Sequence, residues 1–178
     1  MTGYAAFLRG INLGPTNKVA MPRLREIAES LGWTDVATYI NSGNLIFDSP
    51  KKPPTLAQEL QGALRTELGK SIDVTVRSRT RLEQIISDNP YPDGAANQVN
   101  VVFLMKALPA AAEEAMARLA TEREPFTIRD TEIYVHFQDG LGRSELAAKL
   151  AAVIKVSCTT RNIGTVTKVV ALFDRTSK

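Results

Sequence analysis

Apolar positions along this chain recur with two periods, one of strands and one of helices, and the two periods take turns. Tyr4 to Ile11 is apolar and strand-length, with Gly10 at its end. Pro22 to Leu31 reads as a helix: proline suits the first turn, and Leu24, Ile27, Ala28 and Leu31 fall on one face. Gly32 supplies a left-handed stop. Val36–Ile40 and Leu45–Phe47 are short strands around Asn41-Ser42-Gly43-Asn44, a hairpin signal, because asparagine and glycine tolerate positive φ. After a proline loop (50–54), Leu56, Leu60, Ala63, Leu64 and Leu68 mark a second helix. Ile72–Val76 is a strand, and Leu82, Ile85 and Ile86 lie on a short helix that ends before Pro90.

Tyr91 to Gln98, with its proline, aspartate, glycine and asparagine, reads as a linker. The order then repeats. Val99–Met105 is a nearly continuous apolar run, as a central strand would be, and Ala110–Ala120 is an alanine-rich helix after Pro109. Phe126–Ile128 and Ile133–Phe137 are strands around a turn at Asp130-Thr131. Leu146, Leu150, Val153 and Ile154 mark the next helix, and Val166, Val169, Val170 and Phe173 mark the last. The pattern predicts an α+β protein of two ferredoxin-like halves in tandem, each βαββα plus an extra element, with mainly antiparallel sheets. The halves are placed at 1–90 and 98–178, the second carrying the terminal helix; its final strand is not visible in the hydropathy.

Composition narrows the class. The chain has 178 residues, 44% hydrophobic and 23% charged, enough to bury a core and too apolar for disorder. No run approaches about 18 apolar residues, so no membrane helix is expected, and the first residues lack a signal-peptide layout. Cys158 is the single cysteine, which forbids an intrachain disulfide and fits a cytoplasmic setting. The net charge of +3 does not announce a nucleic-acid protein. Its distribution is more telling: residues 1–25 and 146–173 hold four cations each and no acid.

Two polar words sit in those basic stretches: Leu8-Arg9-Gly10-Ile11-Asn12-Leu13-Gly14-Pro15-Thr16-Asn17-Lys18 and Thr159-Thr160-Arg161-Asn162-Ile163-Gly164-Thr165-Val166-Thr167-Lys168. With Met21–Arg25, Thr38–Phe47, Asn89–Tyr91 and Gly142–Leu146 they resemble, in order and over nearly the whole chain, the bacterial family catalogued as domain of unknown function 1697. The resemblance implies a compact cytoplasmic α+β protein and supplies no activity. Two departures from the family pattern stand out. Gly14-Pro15 replaces a double glycine, which stiffens the loop, and Ile163 replaces an aromatic residue after Thr-Arg-Asn, which removes a stacking group.

Strand-to-helix junctions present backbone N–H groups and the positive end of a dipole, so these words suit anions. The expectation is that the first loop (Arg9, Asn12, Asn17, Lys18), the Arg143-Ser144 junction and the Thr160-Arg161-Asn162 segment, with Lys168, converge on a small anionic, phosphate-bearing ligand. The arginines would neutralise charge, and Asn12, Ser144, Thr160 and Asn162 would orient the ligand. The competing reading is that Ser144, Asn162 and Thr165 cap helices while Arg9 pairs with an acid. No cofactor and no metal are expected, since one histidine and one cysteine do not make a zinc site. His136 alternates with Ile133, Val135 and Phe137 and should face the other side of its strand.

Two alternatives stay open. One is single-stranded RNA or other nucleic acid on the sheet surface, for which Phe7 and Phe47 would have to be exposed in the sheet plane. The other is an enzyme acting on a phosphorylated metabolite, with Arg9, Arg143 and Arg161 clamping charge. No phosphate-binding loop, dinucleotide fingerprint or serine elbow accompanies either. Oligomeric state is not legible.

Overall fold

Gly10 and Asn12 take positive φ (65° and 57°), so the first apolar run stops being a strand before Ile11. In the computed structural model, which describes residues 1–14 and 17–176, β1 covers Thr2–Leu8. The residues form two units, one of 1–87 with 166–178 and one of 88–165. In the first unit β1 is followed by α1 (Met21–Ser30), β2 (Thr34–Tyr39), β3 (Asn44–Ser49), α2 (Pro53–Leu68), β4 (Val74–Ser78) and α3 (Arg79–Ser87). The strand order is β2-β3-β1-β4, antiparallel at each pairing, which is the ferredoxin-like arrangement.

The second unit repeats it. β5 (Val99–Leu104), α4 (Ala110–Leu119), β6 (Phe126–Arg129), β7 (Glu132–His136), α5 (Glu145–Ile154) and β8 (Cys158–Asn162) give the order β6-β7-β5-β8, again antiparallel. The tandem α+β architecture expected from the sequence is thus present. The strand that hydropathy hides is β8: Cys-Thr-Thr-Arg-Asn pairs with β5 from Asn100↔Asn162 to Leu104↔Cys158. Its polar composition suits an edge strand. Thr159–Asn162, read as a loop-like junction, is therefore a strand that runs straight into α6 (Ile163–Thr176). Residues 166–176 of α6 belong to the first unit, where Phe173 lies against Gly3 and Arg79 sits 5.7 Å over the Phe173 ring.

Each core follows from the two periods. In the first unit Ala6, Leu8, Leu45, Phe47, Val74 and Val76 from the sheet meet Leu24, Ile27 and Ala28 of α1 and Leu56, Leu60 and Leu64 of α2. Trp33 stacks on Phe47 at 3.8 Å. In the second unit Val102, Leu104, Ile133, Val135 and Phe137 meet Met116, Leu146, Leu150 and Ile154, with Cys158 buried among them. His136 faces away from that cluster and packs its ring on Tyr91. No helix among the described residues is long and apolar enough to cross a membrane.

The 40–43 turn carries a local constraint of both backbone and packing. Gly43 has φ 81°, and a Cβ there would meet Ile11 at 2.7 Å and Leu8 at 2.9 Å. Gly10 shares the left-handed backbone, yet a Cβ there meets nothing within 4 Å. Gly43→Ala should therefore cost about 2–4 kcal/mol, adding overpacking to the left-handed penalty, and Gly10→Ala only about 1 kcal/mol. Urea denaturation of the two variants checks this, and equal losses would contradict it.

Candidate functional site

In the first unit the loop between β1 and α1 is held shut by one amide. Asn12 Nδ2 donates to Val19 O (2.9 Å) and to Asn41 O (2.8 Å), and Asn12 Oδ1 accepts from Val19 N–H (2.8 Å). Asn12 N–H also donates to Asn17 O at 3.1 Å, closing the loop on itself. Asn12 and Asn17 both sit at positive φ (57° and 55°), a conformation asparagine adopts more readily than most residues. Pro15 and Thr16 lie outside the described residues, so the stiffening expected of Gly14-Pro15 falls there too.

The clamp leaves a recess of about 380 Å³ lined by Asn12, Gly14, Lys18, Val19, Ala20, Met21 and Asn41. Its floor is the start of α1. Ala20 is the N-cap and offers no side-chain hydrogen bond, and the first turn holds no acid. Leu24 N–H reaches back to Ala20 O at 3.0 Å, and Pro22 has no N–H, so Ala20, Met21 and Arg23 carry the donors left at this end. Lys18 is exposed and has no side-chain partner among the described residues, and no acid lines the recess. The Arg23 side chain is engaged elsewhere: hydrogen bonds to Glu67 and then Glu26 raise its pKa further above the usual arginine value.

Other expected residues take different roles. Arg9 does not line the recess; its N–H donates to Asp73 O (2.9 Å) and its guanidinium pairs with Asp73 at 3.4 Å. The Asn41 to Asn44 word mainly builds the hairpin, since Asn44 is buried and donates to Tyr39 O and Ser42 Oγ. Asn41 is the residue that sequence reasoning missed. Lys168 is exposed on α6.

In the second unit Ser144 caps α5, its Oγ accepting from Ala147 N–H at 2.9 Å, and Asn162 Oδ1 does the same for Thr165 N–H at 2.8 Å. Arg161 turns its guanidinium onto its own strand, donating to Thr159 Oγ1 (3.1 Å) and Thr160 O (2.8 Å). Burial lowers its pKa to about 10, which still leaves a cation at neutral pH. Arg143 and Ser144 line a recess of about 510 Å³ together with Glu124, Asp139 and Glu145, and none of its lining comes from β8. Three carboxylates make this second recess hostile to a bare anion. Phe7 and Phe47 are both buried, so neither offers the stacking surface that an RNA-binding sheet requires.

The fold and the clamped loop define a tandem ferredoxin-like α+β protein whose first unit carries a recess lined by Lys18 and by no acid. The particular family follows from comparison: residues 1–134 match the family described as protein of unknown function (DUF1697), and the chain belongs to it. The match ends in β7, before the Gly142–Leu146 and Thr159–Lys168 words. Among solved structures the chain is similar to the conserved bacterial protein SP0830 from Streptococcus pneumoniae. The two share 23% identity and a TM-score of 0.73 over 96% of this chain and 97% of the other, a likeness of fold. No curated protein matches the sequence.

The charges around the second recess are testable by pH. The Asp139 carboxyl is held below its ordinary range, first by its hydrogen bonds to Arg123 (2.6 and 2.7 Å) and less by the charges of Arg123 and Arg143. A carboxyl depressed in the fold contributes stability above its unfolded pKa and loses it as pH falls through the folded value. Arg123→Ala should raise the Asp139 midpoint in an NMR carboxyl titration. Its stability deficit should be full at neutral pH and fade under acid; an unmoved midpoint would contradict the pairing.

Proposed function

We propose that this protein binds a small anionic, phosphate-bearing ligand in the recess at the start of α1. The observation that carries the reading is the uncapped end of α1, which opens onto a recess lined by Lys18 and by no acid. An anion there satisfies backbone donors that have no partner among the described residues and meets the positive end of the helix dipole. Magnitudes set the ligand's size. The helix end contributes about 1 kcal/mol, and charge-assisted hydrogen bonds to Lys18 and a backbone N–H about 1.5 kcal/mol each. That sum corresponds to roughly millimolar binding of phosphate alone. A tighter ligand has to add apolar contact, which Val19, Ala20 and Met21 supply at the recess wall.

The Asn12 amide has a supporting part in this reading. Its two N–H groups and one oxygen lone pair are committed to Val19 and Asn41, so it holds the loop and leaves the charge to Lys18. The reading is complete on residues 12–41. A calorimetric titration of inorganic phosphate at low and moderate salt tests it. Saturable binding should weaken about tenfold in Lys18→Ala and recover in Lys18→Arg. Absence of saturation, or the same affinity in Lys18→Ala, would overturn the proposal.

A further inference from the structure

The recess of the second unit carries its own, independent signal, visible once its charges are paired off. Asp139 is engaged by Arg123 in a two-pronged pair, and Glu145 by Lys149 at 2.6 Å. Both acids are held below their ordinary pKa chiefly by those hydrogen bonds. Two charged side chains of the lining remain. The Arg143 guanidinium makes no hydrogen bond or ion pair among the described residues, and its charge acts on Asp139 only at longer range. Glu124 is only 8% exposed, and its Oε2 accepts from Thr121 N–H (3.2 Å) and Thr121 Oγ1 (3.1 Å) while its Oε1 accepts from no described residue.

The residue is nine-tenths buried, and Oε1 is the carboxylate oxygen left open to the recess, where a partly desolvated carboxylate attracts an ammonium more strongly than a fully hydrated one. Ser144, equally shut in at 8% exposure, accepts from Ala147 N–H, and its own hydroxyl proton has no acceptor among the described residues. The same recess thus offers one open acceptor at Glu124 and open donors at Arg143 and Ser144. Leu119 and Phe137 add apolar wall, and about 510 Å³ suits a small molecule. A bare anion would meet Glu124, and a bare cation would meet Arg143. We propose that this recess binds a free α-amino acid with an apolar side chain, its carboxylate on Arg143 and Ser144, its ammonium on Glu124, and its side chain against Leu119 and Phe137.

L-leucine is the probe, alongside two molecules that each keep one of its charges: isopentylamine, without the carboxylate, and 4-methylpentanoate, without the ammonium. Chemical-shift titration of the isotope-labelled protein should show saturable L-leucine binding at residues 119–145, at least about tenfold tighter than either analogue. Arg143→Gln should remove the preference for L-leucine over isopentylamine, and Glu124→Gln the preference over 4-methylpentanoate. Arg143 is exposed, so its variant reports even if Glu124→Gln disturbs the Thr121 turn. Equal binding of L-leucine and 4-methylpentanoate, no saturation by L-leucine, or preferences unchanged in Arg143→Gln would overturn the proposal. Phosphate titrates at the α1 recess in a different unit, so the two readings fail separately.

Discussion

One side-chain amide organises the connection between β1 and α1. The Asn12 carboxamide replaces the backbone pairing that the chain gives up when β1 ends, by bonding both polar groups of Val19 and the carbonyl of Asn41. Each such bond is worth about 1 kcal/mol net, and losing one partner would leave the others unsatisfied at a larger cost. The sheet brings Asn41 within reach, because β1 and β3 are antiparallel neighbours and Leu8 N–H donates to Gly43 O. The packing around Gly43 keeps that turn close to Ile11 and Leu8. Shape, clamp and open helix end therefore belong to one local arrangement, whose pieces come from positions 29 residues apart.

The two units place their recesses at different points of the same topology. The two units share strand order and antiparallel register, but they differ where β1 and β5 hand over to their helices. The first connection runs from residue 9 to residue 20 and is clamped, whereas the second takes only residues 105–109. In the second unit the recess instead forms where Gly140 and a 3-10 turn, Leu141–Arg143, lead into α5. That helix carries its own cap in Ser144 and an acid, Glu145, in its first turn. Its start is already satisfied, and the local charge is balanced rather than basic.

Most of the architecture was legible because it rests on period. Helix faces such as Leu24-Ile27-Ala28 and alternating strands such as Ile133-Val135-Phe137 declare themselves, and the hairpin word declares its turn. β8 did not, since an edge strand of threonine, arginine and asparagine needs β5 beside it to be a strand at all. The site was partly legible. Asn12 and Lys18 were singled out and do line the recess, while Arg9 found Asp73, and Ser144 and Asn162 turned out to cap helices. Asn41 carried no sign of its role, because its contribution is a backbone carbonyl delivered by sheet register. Glu124, in the charged run Glu122-Arg123-Glu124, is buried only by the fold.

The central claim is that the Asn12 amide, rather than the loop's own stiffness, keeps the β1–α1 connection closed. Amide hydrogen exchange at Val19, whose N–H bonds to Asn12 Oδ1 alone among the described residues, measures this directly in the native protein and in Asn12→Ala. The account predicts that Val19 loses its protection in the variant while strand amides such as Phe7 keep theirs. Undiminished protection at Val19 would mean that the loop closes without the clamp, and the account of the recess would fall with it.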